Sequence, residues 1–228
     1  MTGAAPDSAG DDAAAAVDAF VARHAGASDA DPRARVVALF HAVRALPYAS
    51  TGVREPAAVL AAGAGSCTGK HMVLRDALRR IGERAEVEIV EGDFAAAIPV
   101  VAGMSSALAR WTGRGGIRDY HNRVIWHAPE GEVVLDATWP DAVARFGFAV
   151  NADWRGRGDT ATALAVERVH GRPEDTITEK QALIETLPPR LQADRRAFLA
   201  LLTDWLAGVQ GLEARGRNAK GEVAAHGG

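Results

Sequence analysis

Cys67 is the single cysteine of the chain, and small residues lead into it: Gly63-Ala64-Gly65-Ser66-Cys67-Thr68-Gly69-Lys70-His71. An apolar-periodic stretch begins there, which places the thiol in the first turn of a helix. The unpaired N–H groups and the positive end of the dipole favour thiolate over thiol at such a position. Downstream, His121 and Asp136 lie 15 residues apart on two strand-like runs, Tyr120–Trp126 and Val133–Ala137, with the turn Pro129-Glu130-Gly131-Glu132 between them. A hairpin of that kind sets an imidazole beside a carboxylate. Cysteine, histidine and aspartate then supply nucleophile, base and orienter for attack on a carbonyl.

Other residues compete for these roles. His71 is one helical turn after Cys67 and on the same face, so it is the alternative base or an auxiliary proton donor. Lys70 either raises the potential at the thiol or is a solvated lysine. His127, at the hairpin turn, reads as solvent-exposed. Gly63 and Gly65, lacking Cβ atoms, let a substrate backbone approach the sulfur. Asp136 accepts from the imidazole N–H and stabilises the imidazolium, and Trp139 packs beside the site. The backbone N–H of Cys67 is one oxyanion donor.

The elements that must carry these groups follow from pattern and punctuation. A first helix contains Val17, Phe20 and Val21 and ends near Gly26. Asp31 caps a second that begins at Pro32, carries Val36, Leu39, Phe40 and Val43, and stops at Pro47. A short helix over Pro56–Ala62 feeds the glycine loop. Ser66 caps the cysteine helix, which buries Val73, Leu74, Ala77, Leu78 and Ile81 and ends at Gly82. Glu86–Val90 alternates as a strand, Met104–Trp111 reads as a helical insertion, and Thr162–Val169 as another strand. The basic loop Thr112–Arg118 reads as a flexible solvated connection. Two helices follow Gly171-Arg172-Pro173, at Thr176–Thr186 and Arg190–Val209.

The chain resembles the transglutaminase-like (papain-like Cys-His-Asp) superfamily. The likeness rests on Ala57–Cys67 leading into the cysteine helix, on His121, Gly131 and Asp136 at the family's spacing, and on Asp136-Ala137-Thr138-Trp139-Pro140. It covers roughly Pro32 to Pro140. The family often has Trp two residues after the histidine, where this chain has Arg123, and Thr68–His71 is less typical of it. The resemblance implies an α+β, papain-like fold, with the nucleophile helix on an antiparallel sheet and extra helices at both ends. It also implies Cys67, His121 and Asp136 as the catalytic set.

The domain reading is a disordered N-terminus over 1–12, one domain over 13–210 (core about 32–140, C-terminal helical part 173–210), and a flexible tail over 211–228. A formal net charge of −3, with no clustering of Lys and Arg among aromatics, speaks against nucleic-acid binding. No run approaches the ~18 apolar residues of a membrane span, and no basic-then-apolar leader opens the chain. A single cysteine leaves no internal disulfide or Cys-rich zinc site, and no dinucleotide, Walker or metal-ligand spacing is present, so neither cofactor nor metal is expected. A cytoplasmic, reducing setting fits. The functional expectation is a thioacyl enzyme acting on a peptide, protein or small-molecule amide or thioester. Hydrolysis is favoured because water needs no acceptor site. The alternatives are an acyltransferase that uses an amine, including biosynthetic amide formation or cross-linking, and a non-catalytic peptide- or partner-binding module of the same fold.

Overall fold

The computed structural model describes residues 8–225, with side chains placed for 12–211. Helices α1 (Ser8–His24), α2 (Pro32–Ala45), α3 (Pro56–Ala62) and α4 (Cys67–Arg80) come first. Asp31 caps α2 as its sequence requires, accepting from the N–H groups of Arg33 and Ala34. Pro32 and Pro56 occupy the first turns of α2 and α3, where a missing N–H costs nothing. Strands β1 (Ala85–Asp93), β2 (Arg118–Ala128), β3 (Gly131–Leu135) and β4 (Arg168–Gly171) form one antiparallel sheet in the order β3-β2-β1-β4. Helices α5 (Ser106–Arg114), α6 (Thr176–Thr186) and α7 (Pro189–Ala225) complete an α+β architecture.

Two apolar clusters hold the helices to the sheet. In one, Val73, Leu74, Ala77 and Leu78 of α4 meet Val87, Val124, Trp126, Val133 and Leu135, with Val36, Leu39, Phe40 and Val43 of α2 behind them. All four α2 residues are fully buried, so the helical stripe read from the sequence is the core-facing stripe. In the other, Phe198, Leu202 and Leu206 of α7 pack with Val90, Phe94, Leu108 and Trp139. Strands β1 and β2 thereby lie between the cysteine helix and the C-terminal helices. No helix among the described residues is long and apolar enough to cross a membrane.

Several boundaries differ from the sequence reading. Residues 1–7 lie outside the described part, but α1 begins at Ser8, inside the segment expected to be disordered. The chain Ser8–Ala16 is rich in alanine, the best helix former, and lacks proline. At the other end α7 continues to Ala225, past the expected frayed start at Gly211. Residues 212–225 have no apolar stripe but are mostly Ala, Glu, Arg and Lys, so propensity carries a helix there. The insertion helix runs Ser106–Arg114 because Ser105 caps it and Gly115 ends it. The basic loop is not free: Asp93 accepts from the N–H groups of Gly116 and Ile117 and ties that turn to the end of β1.

The strand expected over Thr162–Val169 is only its last two residues, continued to Gly171. The segment before it runs beside β3 instead. Thr160 N–H donates to the Val134 carbonyl, Val134 N–H donates to Asp159, and Asn151 bridges to both Ala161 and the Asp136 carbonyl.

Candidate functional site

The thiol is delivered by a loop with little freedom. Gly65 N–H donates to the Pro47 carbonyl at 3.0 Å, and Ala49 N–H donates back to Gly65 at 3.1 Å, a short parallel bridge just before Cys67. A Cβ on Gly65 would come within 2.9 Å of Val59, and one on Gly69 within 2.6 Å of the same side chain. These glycines let α3 lie close against the start of α4. Gly63, at φ +62°, is the left-handed cap that ends α3. Where the sequence reading has Gly63 and Gly65 clearing a path for substrate, the structure gives Gly63 a turn and Gly65 a close packing against Val59. Ser66 is at the cap position, but its hydroxyl makes no capping bond. The first N–H groups of α4 therefore have no intrahelical acceptor, and Cys67 is its first residue.

His121 comes from the middle of β2, and Asp136 from one residue beyond β3. These strands are hydrogen-bonded neighbours, with Val124 opposite Leu135 and Trp126 opposite Val133. The His121 Nε2–H donates to Asp136 Oδ2 at 2.7 Å, and both residues are buried. The other ring nitrogen, Nδ1, is not engaged by Asp136, and Cys67 and His121 are close enough for each to stabilise the other's charged form. Asp136 is itself held firmly. Its Oδ2 also accepts from Ala163 N–H at 2.8 Å, its Oδ1 accepts from Thr138 N–H at 3.0 Å, and its own N–H donates to Thr160 Oγ1 at 2.6 Å. Phe94 stacks on His121 and in turn on Trp139, which closes one side of the imidazole with apolar surface.

The electrostatics follow from these partners. Burial pushes the Cys67 thiol up, but the Lys180 ammonium and the His121 ring outweigh it and bring the thiol down to about 6. Burial works against a charged His121, yet Asp136 and the thiolate raise it to about 10. Between those values the pair is thiolate and imidazolium. Asp136 stays below the usual carboxylate range because His121, His71 and the Thr138 contact outweigh its desolvation.

The other residues weighed as base or charge donor have partners of their own. His71 is fully buried, and its Nε2 accepts the Ala137 N–H at 2.8 Å. Burial brings its pKa down to about 3, against a weaker pull from Asp136. A nitrogen that accepts a backbone N–H cannot also take a thiol proton, so His71 is a neutral structural ring. Lys70 is neither solvated nor aimed at the sulfur. Its Nζ donates to the carbonyls of Arg44, Leu46 and Thr138 at 3.0, 2.8 and 2.8 Å. It satisfies the C-terminal end of α2 and ties it to the segment after Asp136. His127 is not exposed as expected but pairs with Glu86 at 2.6 Å. Arg123 forks onto Glu88 at 2.9 and 2.7 Å, which accounts for it as a largely buried ion pair between β2 and β1.

One charged group at the sulfur had no counterpart in the sequence reading. Lys180, from α6, is buried and donates to Cys67 Sγ at 3.5 Å, Thr68 Oγ1 at 3.0 Å and Asn122 Oδ1 at 2.9 Å. Thr68 also donates to Asn122 at 2.8 Å. The ammonium is thus fixed by α4 and β2 while it faces the thiol. It lies 113 residues from Cys67, on a helix whose sequence marks it as an ordinary polar position. Among the described residues no group of three or more His, Cys, Asp or Glu is arranged to hold a metal ion. No protein-family model and no curated protein matches the chain.

Proposed function

We propose that this protein is a thiol-dependent acyl enzyme of the papain-like, transglutaminase-like kind that cleaves an amide or thioester. The observation that supports it is the buried His121–Asp136 pair together with Cys67, also buried, at the N-terminus of α4. The Cys67 thiolate adds to the carbonyl carbon, and a C–S bond forms as the carbonyl oxygen takes up negative charge near the Cys67 N–H. Collapse breaks the bond to the leaving amine or thiol, which takes the proton from His121, and a thioacyl-enzyme remains. Water then attacks as His121 accepts its proton, and the C–S bond breaks to give free acid and thiolate. Asp136 holds the ring in the tautomer that keeps Nδ1 toward sulfur throughout.

In a second reading the same thioacyl-enzyme is taken by an amine instead of water, which gives an amide.

Incubation with a panel of amides and thioesters, with and without a primary amine, tests both readings by mass spectrometry. A Cys67 acyl adduct with free acid is the expected result, and an amide product marks transfer instead. Activity that survives in Cys67→Ala overturns both. No adduct with any donor, together with an inert thiol, leaves the non-catalytic binding module.

A further inference from the structure

The cavity beside the sulfur lies between the Tyr48–Arg54 loop, the first turn of α4, and residues of α6 and α7. Its charged lining is Arg54, Asp119, Lys180 and Arg195, together with Cys67. Two of the three cations are already matched. Arg195 Nε donates to Asp119 Oδ1 at 2.5 Å, and Lys180 faces the thiol at 3.5 Å. The remaining groups near the thiol do not change the balance. His121 is offset by Asp136, and burial keeps Lys70, His71 and Tyr48 toward their neutral forms.

Arg54 is left over. It is half-buried, and its one hydrogen bond among the described residues is from Nη1 to the amide oxygen of Gln181 at 3.3 Å. No carboxylate among the described residues pairs with it. Once Cys67 ionises, the cavity therefore holds three cations against two anions, with the surplus on a guanidinium whose fork is mostly unused. A guanidinium in that state matches a carboxylate with two parallel N–H···O bonds. About 40 Å³ suits a small planar group rather than a bulky one.

We infer that the acyl donor carries a carboxylate close to its reacting carbonyl, bound at Arg54 while the carbonyl carbon meets Cys67. The inference rests on the reading of Cys67 as nucleophile. It specifies an acidic acyl donor: the thiolate attacks one carbon while the neighbouring carboxylate neutralises the surplus cation. Arg54 is here a specificity residue.

Paired alkylating reagents test this without knowledge of the substrate. Iodoacetate and iodoacetamide react identically: the thiolate forms the C–S bond and iodide leaves with the electron pair. They differ in a carboxylate or a neutral amide one carbon away. The ratio of their rates on Cys67 in the full-length protein is compared with the ratio for 2-mercaptoethanol at the same pH and low salt. We expect the protein to favour iodoacetate by about tenfold over the free thiol, the effect of one charged hydrogen-bonded contact. Arg54→Gln should bring the ratio to that of the free thiol, and Arg54→Lys should recover part of it. A wild-type ratio at or below the free-thiol value, or a ratio unmoved in Arg54→Gln, overturns the inference and leaves the nucleophile reading standing. A thiol inert to both reagents removes the nucleophile reading, and the inference with it.

Discussion

Two histidines approach the same aspartate and end in opposite states. His121 of β2 and His71 of α4 are both buried, with rings 5.8 Å apart, and reach Asp136 at 2.7 and 3.6 Å. One is driven up to about 10 and the other down to about 3. Burial opposes the charged form of each, so burial cannot be the difference. What separates them is partners. His121 donates to the carboxylate and faces an acid, Cys67, whereas His71 spends a nitrogen on the Ala137 N–H. At equal depth, the difference in ionisation between these two rings follows from what each ring nitrogen touches.

The largest effect that could break the contrast comes from exchanging which histidine is lost. His121→Ala should lower turnover on any donor found in the panel by roughly 10²–10⁴-fold, the usual contribution of a positioned acid–base group. It should also return the pH profile of iodoacetamide labelling to that of an ordinary thiol. His71→Gln should leave the profile in place. If the two variants behave the other way round, the assignment of base and structural ring is inverted.

The same rule applies to the thiol, where Lys180 is the partner. Lys180→Met removes an opposite charge 3.5 Å from the sulfur. The midpoint of the labelling profile should move up by about one unit, a roughly tenfold loss of rate below it, while the alkaline plateau stays at the wild-type value. Lys180→Arg should retain much of the downward shift. A fall in the plateau with no change in midpoint would assign Lys180 to packing alone, and the thiolate would then depend on His121.

How much of this was legible before the structure divides along sequence distance. The Asp31-Pro32 start, the Pro56–Ala62 helix and the cysteine at a helix start were readable because caps, prolines and apolar spacing act within a few residues. The β2–β3 pairing that joins His121 to Asp136 was readable because a hairpin leaves little choice of partner. Lys180 was not, since nothing local distinguishes a lysine that will be buried against Cys67 from one that faces water. The roles of Lys70 and His71 were left open for a related reason. Position on α4 fixes which face they share, but their acceptor and donor, the carbonyls of Arg44 and Leu46 and the N–H of Ala137, come from other elements. Gly65 was read as room for a ligand, and the neighbour packed against it is Val59, from another helix.

The smallest effect is one of stability, and it separates the two rings by pH. A folded pKa of about 3 for His71, against about 6.5 unfolded, means the unfolded chain binds the extra proton between those values. Stability must then rise with pH across that window and be lost as pH falls through it. For His121 the sign reverses. Its folded value of about 10 lies above the unfolded one, so its contribution is complete below about pH 6.5 and is lost as pH rises through 10. Cys67, at about 6 when folded, adds slope only above that value. Asp136, held low, adds slope only below the ordinary carboxylate range. Between about pH 4 and 6 the two rings are thus separated, because His121 is protonated in both states and His71 in one. Urea unfolding across that range should show wild-type stability falling faster than that of His71→Gln, by on the order of 1 kcal/mol per pH unit. The amide oxygen of glutamine can still accept the Ala137 N–H without titrating, and the smaller shifts at His24 and His41 are common to both proteins. Equal slopes would mean that His71 carries a proton in the folded state, and the contrast between the two rings would not hold.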